Sequence, residues 1–153
     1  MVFLRQLLIF NLVSRSYNMQ LTNFVDYGLR SLMYLAFHSD KLCTVKEISE
    51  YYGVSHNHIV KVVHRLSQLG YITSSKGKGG GIKITPYSFK LKIGDLIKEL
   101  EPTMHLVECF NKDSNTCKIT NFCQLKHYLY EANESFIKSL NHYTLADAIK
   151  NWK

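Results

Sequence analysis

Residues 44–84 leave this chain few folds to choose from. Thr44 and Glu47 stand three apart ahead of Val45, Ile48 and Tyr51, the capping-box arrangement in which two side chains satisfy each other's backbone amides at a helix start. Gly53-Val54-Ser55 then supplies a tight turn, with Ser55 placed to cap a second helix. That helix is expected to carry Ile59, Val62, Val63, Leu66 and Leu69 inward, and Asn57, His58, Lys61, Arg65 and Gln68 on its opposite face. Two helices across a short Gly-containing turn, the second polar outside, form a helix-turn-helix. Gly70 ends the second helix. Tyr71-Ile72-Thr73 and Ile82-Lys83-Ile84 then alternate as the two strands of a hairpin.

The hairpin tip, Ser74 to Gly81, is rich in glycine and carries Lys76 and Lys78. It lacks the Gly-Lys-Ser/Thr ending of a phosphate-binding loop, and Pro86 comes after a strand rather than a phosphate-facing helix. It reads as a wing. Upstream, Val25, Leu29, Leu32, Met33 and Ala36 recur on one face of a helix over Leu21 to Phe37. Downstream, Ile93, Ile97 and Leu100 mark a fourth helix closed by Pro102. A long helix carries Leu125, Leu129, Ala132, Phe136 and Leu140, and Thr144 caps a final short one. That apolar stripe is either ordinary core or a dimer seam. The seam is favoured, because a reader of this size uses two-fold symmetry to cover enough base pairs.

The fold expected is therefore mainly α with a small β-hairpin wing, a winged helix-turn-helix with a long C-terminal dimerisation helix. The division expected is an N-terminal extension at 1–18, a DNA-binding domain at 19–101, a cysteine loop at 102–124, and the dimerisation and C-terminal helices at 125–153. The extension is too short, and too interrupted by Arg5, Gln6 and Asn11, to span a bilayer, and small residues before a cleavage site are missing. Met19 comes at once after it, so an over-long start assignment is preferred over a short amphipathic arm.

Charge points at the partner. Residues 41–98 hold ten Lys/Arg against three Asp/Glu, so the whole net charge of +7 lies in the helix-turn-helix and wing. Such a footprint suits the phosphates of double-stranded DNA. Ser55, Asn57, His58, Lys61 and Arg65 lie on or at the start of the helix that would enter the major groove, where Asn pairs with adenine and Lys or Arg with guanine or phosphate. Lys76 and Lys78 suit the minor groove, and Gly80 with its neighbours lets backbone approach the sugar–phosphate edge.

Three of the four cysteines, Cys109, Cys117 and Cys123, fall within 15 residues in a C-x7-C-x5-C pattern. Closing so short a loop costs little entropy, and converging thiolates select soft centres: an iron–sulfur cluster, zinc or Cu(I). Structural zinc sites show close C-x2-C pairs and a clear fourth ligand, which this spacing lacks. Three thiolates with one ligand from elsewhere suit an iron–sulfur cluster with a labile position. His105, Glu108 and His127 are nearby fourth-ligand candidates. Cys43, isolated before the capping box, reads as a buried small residue. A redox enzyme or electron carrier could use the same cysteines but would not need the basic wing, and no catalytic constellation is present.

Residues 19–152 resemble the NsrR nitric-oxide-sensing repressors, among the iron–sulfur winged-helix regulators that include IscR. The matching stretches are Met19-Gln-Leu-Thr-Asn-Phe-Val-Asp-Tyr-Gly-Leu-Arg30, Tyr52-Gly-Val-Ser-His-Asn-His58, Gly70-Tyr-Ile-Thr73, Lys76-Gly-Lys-Gly-Gly-Gly-Ile82, Ile93-Gly-Asp95, Glu99-Leu-Glu-Pro102 and Tyr143-Thr-Leu-Ala-Asp147. The resemblance implies a cytoplasmic homodimer, not associated with membranes, whose 2Fe–2S or 4Fe–4S cluster permits binding to a palindromic operator. Nitric oxide reacting with that cluster would release the DNA. It also implies that Asp26 of the partner subunit supplies the fourth ligand. IscR-like proteins place a histidine three residues after the last cysteine, where this chain has Lys126. That favours the NsrR side over an IscR-like sensor of iron–sulfur status. Two features depart from the pattern: Lys76 stands where relatives often have arginine, losing bidentate geometry, and the step from Cys109 to Cys117 is long.

Overall fold

The computed structural model describes residues 20–101 and 105–152. The expected extension at 1–18 and the stop at Pro102 lie outside the described residues. Among the described residues, six α-helices and one hairpin run in order: α1 (Asn23–Phe37), α2 (Val45–Tyr52), α3 (His56–Gln68), β1 (Ile72–Ser75), β2 (Gly81–Ile84), α4 (Ile93–Leu100), α5 (Gln124–Leu140) and α6 (Leu145–Ile149). The expected mainly α fold with a small β-hairpin wing is the observed one.

Local chemistry sets most boundaries. Thr22 opens α1 by accepting from the Val25 amide. At α2 the capping box is complete, with Thr44 and Glu47 bonded in both directions, and such a cap contributes about 1 kcal/mol. Gly53 closes α2 in the left-handed region at φ 62°, where a side chain would be strained. Ser55 holds the N-cap position of α3, yet its side chain makes no capping hydrogen bond.

The core sits around α1, which packs against α3, α4, α6 and β2. Val25, Leu32 and Leu35 from α1 meet Ile48, Ile59, Val62, Leu66, Leu96, Ile97 and Leu145, all almost fully buried. Each such side chain contributes roughly 1.5–3 kcal/mol on burial. Ser31 is buried among them and satisfied, its hydroxyl donating to the Tyr27 carbonyl at 2.7 Å.

Two non-local ties orient the functional parts. The wing strands pair antiparallel from Ile72 opposite Ile84 to Ser75 opposite Gly81. A third segment joins them: Cys43 and Ile82 exchange both backbone hydrogen bonds, at 2.9 and 2.7 Å. Cys43 is fully buried there, and burial pushes its thiol pKa up, so it remains a small apolar filler. At the other end Asn141 locks α4 to α5. Its side chain accepts from the Asp95 amide at 3.0 Å and donates to the Asp95 carboxylate at 2.8 Å. Among the described residues, no helix is long and apolar enough to cross a membrane.

Candidate nucleic-acid interface and cysteine loop

The outward face of α3 differs in detail from the even polar surface that its composition suggests. Asn57, Val60, Lys61, His64 and Gln68 fall on one stripe at helical spacing, and all five are exposed. His64 and Gln68 sit within hydrogen-bond distance of one another, at 3.2 Å. His58 and Arg65 lie on the flanks. The His58 ring stacks on Tyr27 of α1 with centroids 5.9 Å apart, and Arg65 donates to the Glu99 carbonyl of α4 at 3.3 Å. His58 is exposed and Arg65 half-buried, each in contact with a neighbouring helix. Val60 and His64 were missed by sequence reasoning. Their one available signal was the step of three and four from Asn57 and Lys61.

The wing is built for close approach. Gly77 and Gly79 adopt φ values of 99° and 84°, which favour glycine, and Gly80 donates to the Gly77 carbonyl at 2.9 Å. A side chain on Gly80 would collide with the backbone oxygen of Ser75. The tip therefore presents backbone, flanked by exposed Lys76 and Lys78. Among the described residues, neither of these lysines nor Lys61 forms an ion pair, whereas Lys41, Lys46 and Lys98 each meet a glutamate. Contact with phosphate would thus break no existing pair.

The cysteine loop is ordered by its own polar side chains. The Glu108 carboxylate accepts from both the amide and the hydroxyl of Thr116, at 2.8 and 2.6 Å. These bonds hold its pKa below the usual carboxylate range. They also clamp the residue before Cys109 to the residue before Cys117. Asn115 accepts from the Cys117 amide at 3.0 Å and from the Thr120 hydroxyl at 3.2 Å, while the Cys117 carbonyl accepts from the Thr120 amide. Short 3-10 turns over Glu108–Phe110 and Thr120–Phe122 bracket the loop, and Cys123 begins α5. Both bonds fall on one carboxylate oxygen, Oε1, and brace the loop.

All three loop cysteines are free thiols; Cys117 is exposed, Cys109 and Cys123 half-buried. Cys109 borders a cleft of ≈ 480 Å³ between α4 and α5, with Lys98, Lys112, Lys126 and His105 around it. Among the described residues, no three His, Cys, Asp or Glu side chains converge closely enough to hold a metal ion. Three free thiols on one loop suit a soft centre in kind, without converging on one point in this structure.

Asp26 is placed elsewhere, on the first turn of α1. Its carboxylate forms a two-point pair with Arg30, both contacts at 2.8 Å. The Arg30 guanidinium also lies over the Tyr52 ring, 5.8 Å from its centroid, and the Tyr52 hydroxyl donates to the Arg30 carbonyl at 3.0 Å. Burial pushes the Tyr52 pKa up to about 12, so this donor persists at any physiological pH. Asp26 and Arg30 are both partly exposed, and such pairs contribute only about 0.3–0.5 kcal/mol.

The apolar stripe of α5 divides in two. Ile137 is buried, with Phe136 and Leu140 packed on the core, but towards the start of the helix Leu125 and Tyr128 are 61% and 62% exposed. Phe122, just before it, is 72% exposed.

Known proteins resemble this chain over nearly its whole length. Residues 21–151 match the family described as Rrf2, iron-dependent transcriptional regulator. The chain is 42% identical over 134 residues to the HTH-type transcriptional regulator NsrR of Shouchella clausii, covering 87% of this chain and 90% of that protein. It is equally similar, at 42%, to the protein of the same name from Halalkalibacterium halodurans, covering 87% and 92%. Among solved structures, T. potens IscR superposes with a TM-score of 0.70 at 23% identity, over 89% of this chain and 90% of that one. CymR, the global cysteine regulator of B. subtilis, gives 0.69 at 20% identity, over 88% and 99%. These two show a shared fold.

Proposed function

Starting from the fact that the chain belongs to the Rrf2 family of iron-dependent transcriptional regulators, we propose that it is a homodimeric repressor whose DNA binding is gated by an iron–sulfur cluster and released by nitric oxide. Its relatives are transcriptional regulators, not enzymes, and their winged-helix fold is the one this chain adopts. The observation that carries the finer reading is the clamped loop: Glu108 and Asn115 hold Cys109 and Cys117 on one short, polar segment as free thiols. The resemblance to the NsrR repressors, at 42% identity, supports nitric oxide as the signal.

In this reading Cys109, Cys117 and Cys123 hold the cluster, and Asp26 of the partner subunit completes its ligand set. When bound, the cluster supplies iron that reacts with nitric oxide. The protein's own residues do the rest. Leaving Arg30 for a metal would cost Asp26 little, given the weakness of an exposed ion pair. Arg30, which lies over Tyr52 at the end of α2, would lose its carboxylate partner, and that links the ligand to the helix-turn-helix. On the DNA side, Asn57 and Lys61 read base edges from α3, Ser55, His58 and Arg65 position the backbone, and Lys76, Lys78 and Gly80 contact the sugar–phosphate edge. The exposed apolar start of α5 supports pairing with a second copy, burying Leu125 and Tyr128.

Anaerobically purified protein tests the cofactor. It should elute as a dimer, hold iron and acid-labile sulfide, and absorb in the visible. A colourless protein that binds zinc stoichiometrically would contradict the cluster while leaving the regulator intact.

A further inference from the structure

Val60 is the one apolar side chain on the outward stripe of α3, 43% exposed between polar Asn57 and Lys61. It belongs neither to the hydrophobic core nor to the apolar residues packed against it. A β-branched residue on an exposed helix face gains nothing for the fold and costs about 0.5 kcal/mol against alanine. Its advantage is stiffness. In a helix valine keeps one dominant rotamer, so its two methyls are held at a fixed place on the helix surface at little entropic cost. The helix lies in residues 41–98, which carry the chain's excess of positive charge, and Lys61 beside Val60 forms no ion pair among the described residues.

The major groove offers one apolar group on its base edges, the C5-methyl of thymine. We propose that Val60 is a specificity-determining residue that packs against a thymine C5-methyl in each half-site, beside the bases read by Asn57 and Lys61. The proposal rests on α3 being the helix that enters the groove.

The test uses anaerobically purified full-length protein and duplexes it selects from a randomised library. Thymines of the selected duplex are replaced one at a time by deoxyuridine, which removes only the methyl. One position should lose about fourfold in affinity, the equivalent of one buried methyl. Replacement in both half-sites should lose roughly fifteenfold if the contacts add. Val60→Ala should fold normally, keep its affinity for random duplex and its salt dependence, and bind thymine and deoxyuridine duplexes equally. Val60→Ile should keep the preference. Equal binding of all deoxyuridine duplexes by the unaltered protein, or an unchanged preference in Val60→Ala, overturns the assignment alone. If no duplex is retained from the library, the groove reading of α3 falls with it.

Discussion

Cys117→Ala protein should contain little iron or sulfide and should bind its operator no better than random DNA. Cys109→Ala and Cys123→Ala should do the same. Specific binding by such regulators exceeds non-specific binding by roughly a thousandfold or more, so the loss should be of that order. Three thiolates are the minimum that lets one further ligand complete a cluster, so none of the three loop cysteines is spare. Cys43→Ala should behave differently. Its thiol is buried against β2, and removing the sulfur leaves a small cavity worth about 1–2 kcal/mol, with iron per folded molecule unchanged. Full iron content in Cys117→Ala, or its loss from folded Cys43→Ala, contradicts the assignment.

Gly94→Ala should be strongly destabilising. A Cβ there would stand 2.5 Å from both the Ile137 carbonyl and the Asn141 side-chain oxygen. The first is helix backbone and cannot move aside, and the second is the group that locks Asp95. Overpacking of this kind costs about 3 kcal/mol, or roughly 6–12 °C in melting temperature for a chain of this length. It should also loosen α4 from α5, the junction between the DNA-reading part and the cysteine loop. Gly28→Ala is the control. Its Cβ would meet the end of the flexible Leu100 side chain, which can turn away, and the helix gains propensity from alanine. A melting temperature for Gly94→Ala equal to that of Gly28→Ala would show the α4–α5 lock to be slack.

What could be read from the residues was what local physics decides. Thr44 with Glu47, Gly53 and Gly70 set helix ends through bonds and dihedrals a few residues apart, so those features were visible without any tertiary knowledge. The division of the α3 surface was not. A polar face spans more than a third of the helix, and only packing against Tyr27 and Glu99 reveals that His58 and Arg65 belong to the flanks, with Val60 and His64 on the crest. The pairing of Cys43 with Ile82, and of Gly94 with Asn141, joins residues about 40 or more positions apart, which no periodicity records. The clamp from Glu108 to Thr116 is local but has no sequence signature, since any polar loop offers such partners.

If one chemical event at the cysteine loop controls DNA binding, cluster and operator should respond together. Anaerobic protein bound to a fluorescent duplex carrying its selected operator should be titrated with nitric oxide while visible absorbance and anisotropy are followed at once. The cluster absorbance should change and the duplex leave in step, with Asp26→Ala protein altered in the rate of the first absorbance change. Duplex that stays bound after the cluster absorbance has been fully consumed, or that leaves while the absorbance is untouched, would contradict that coupling.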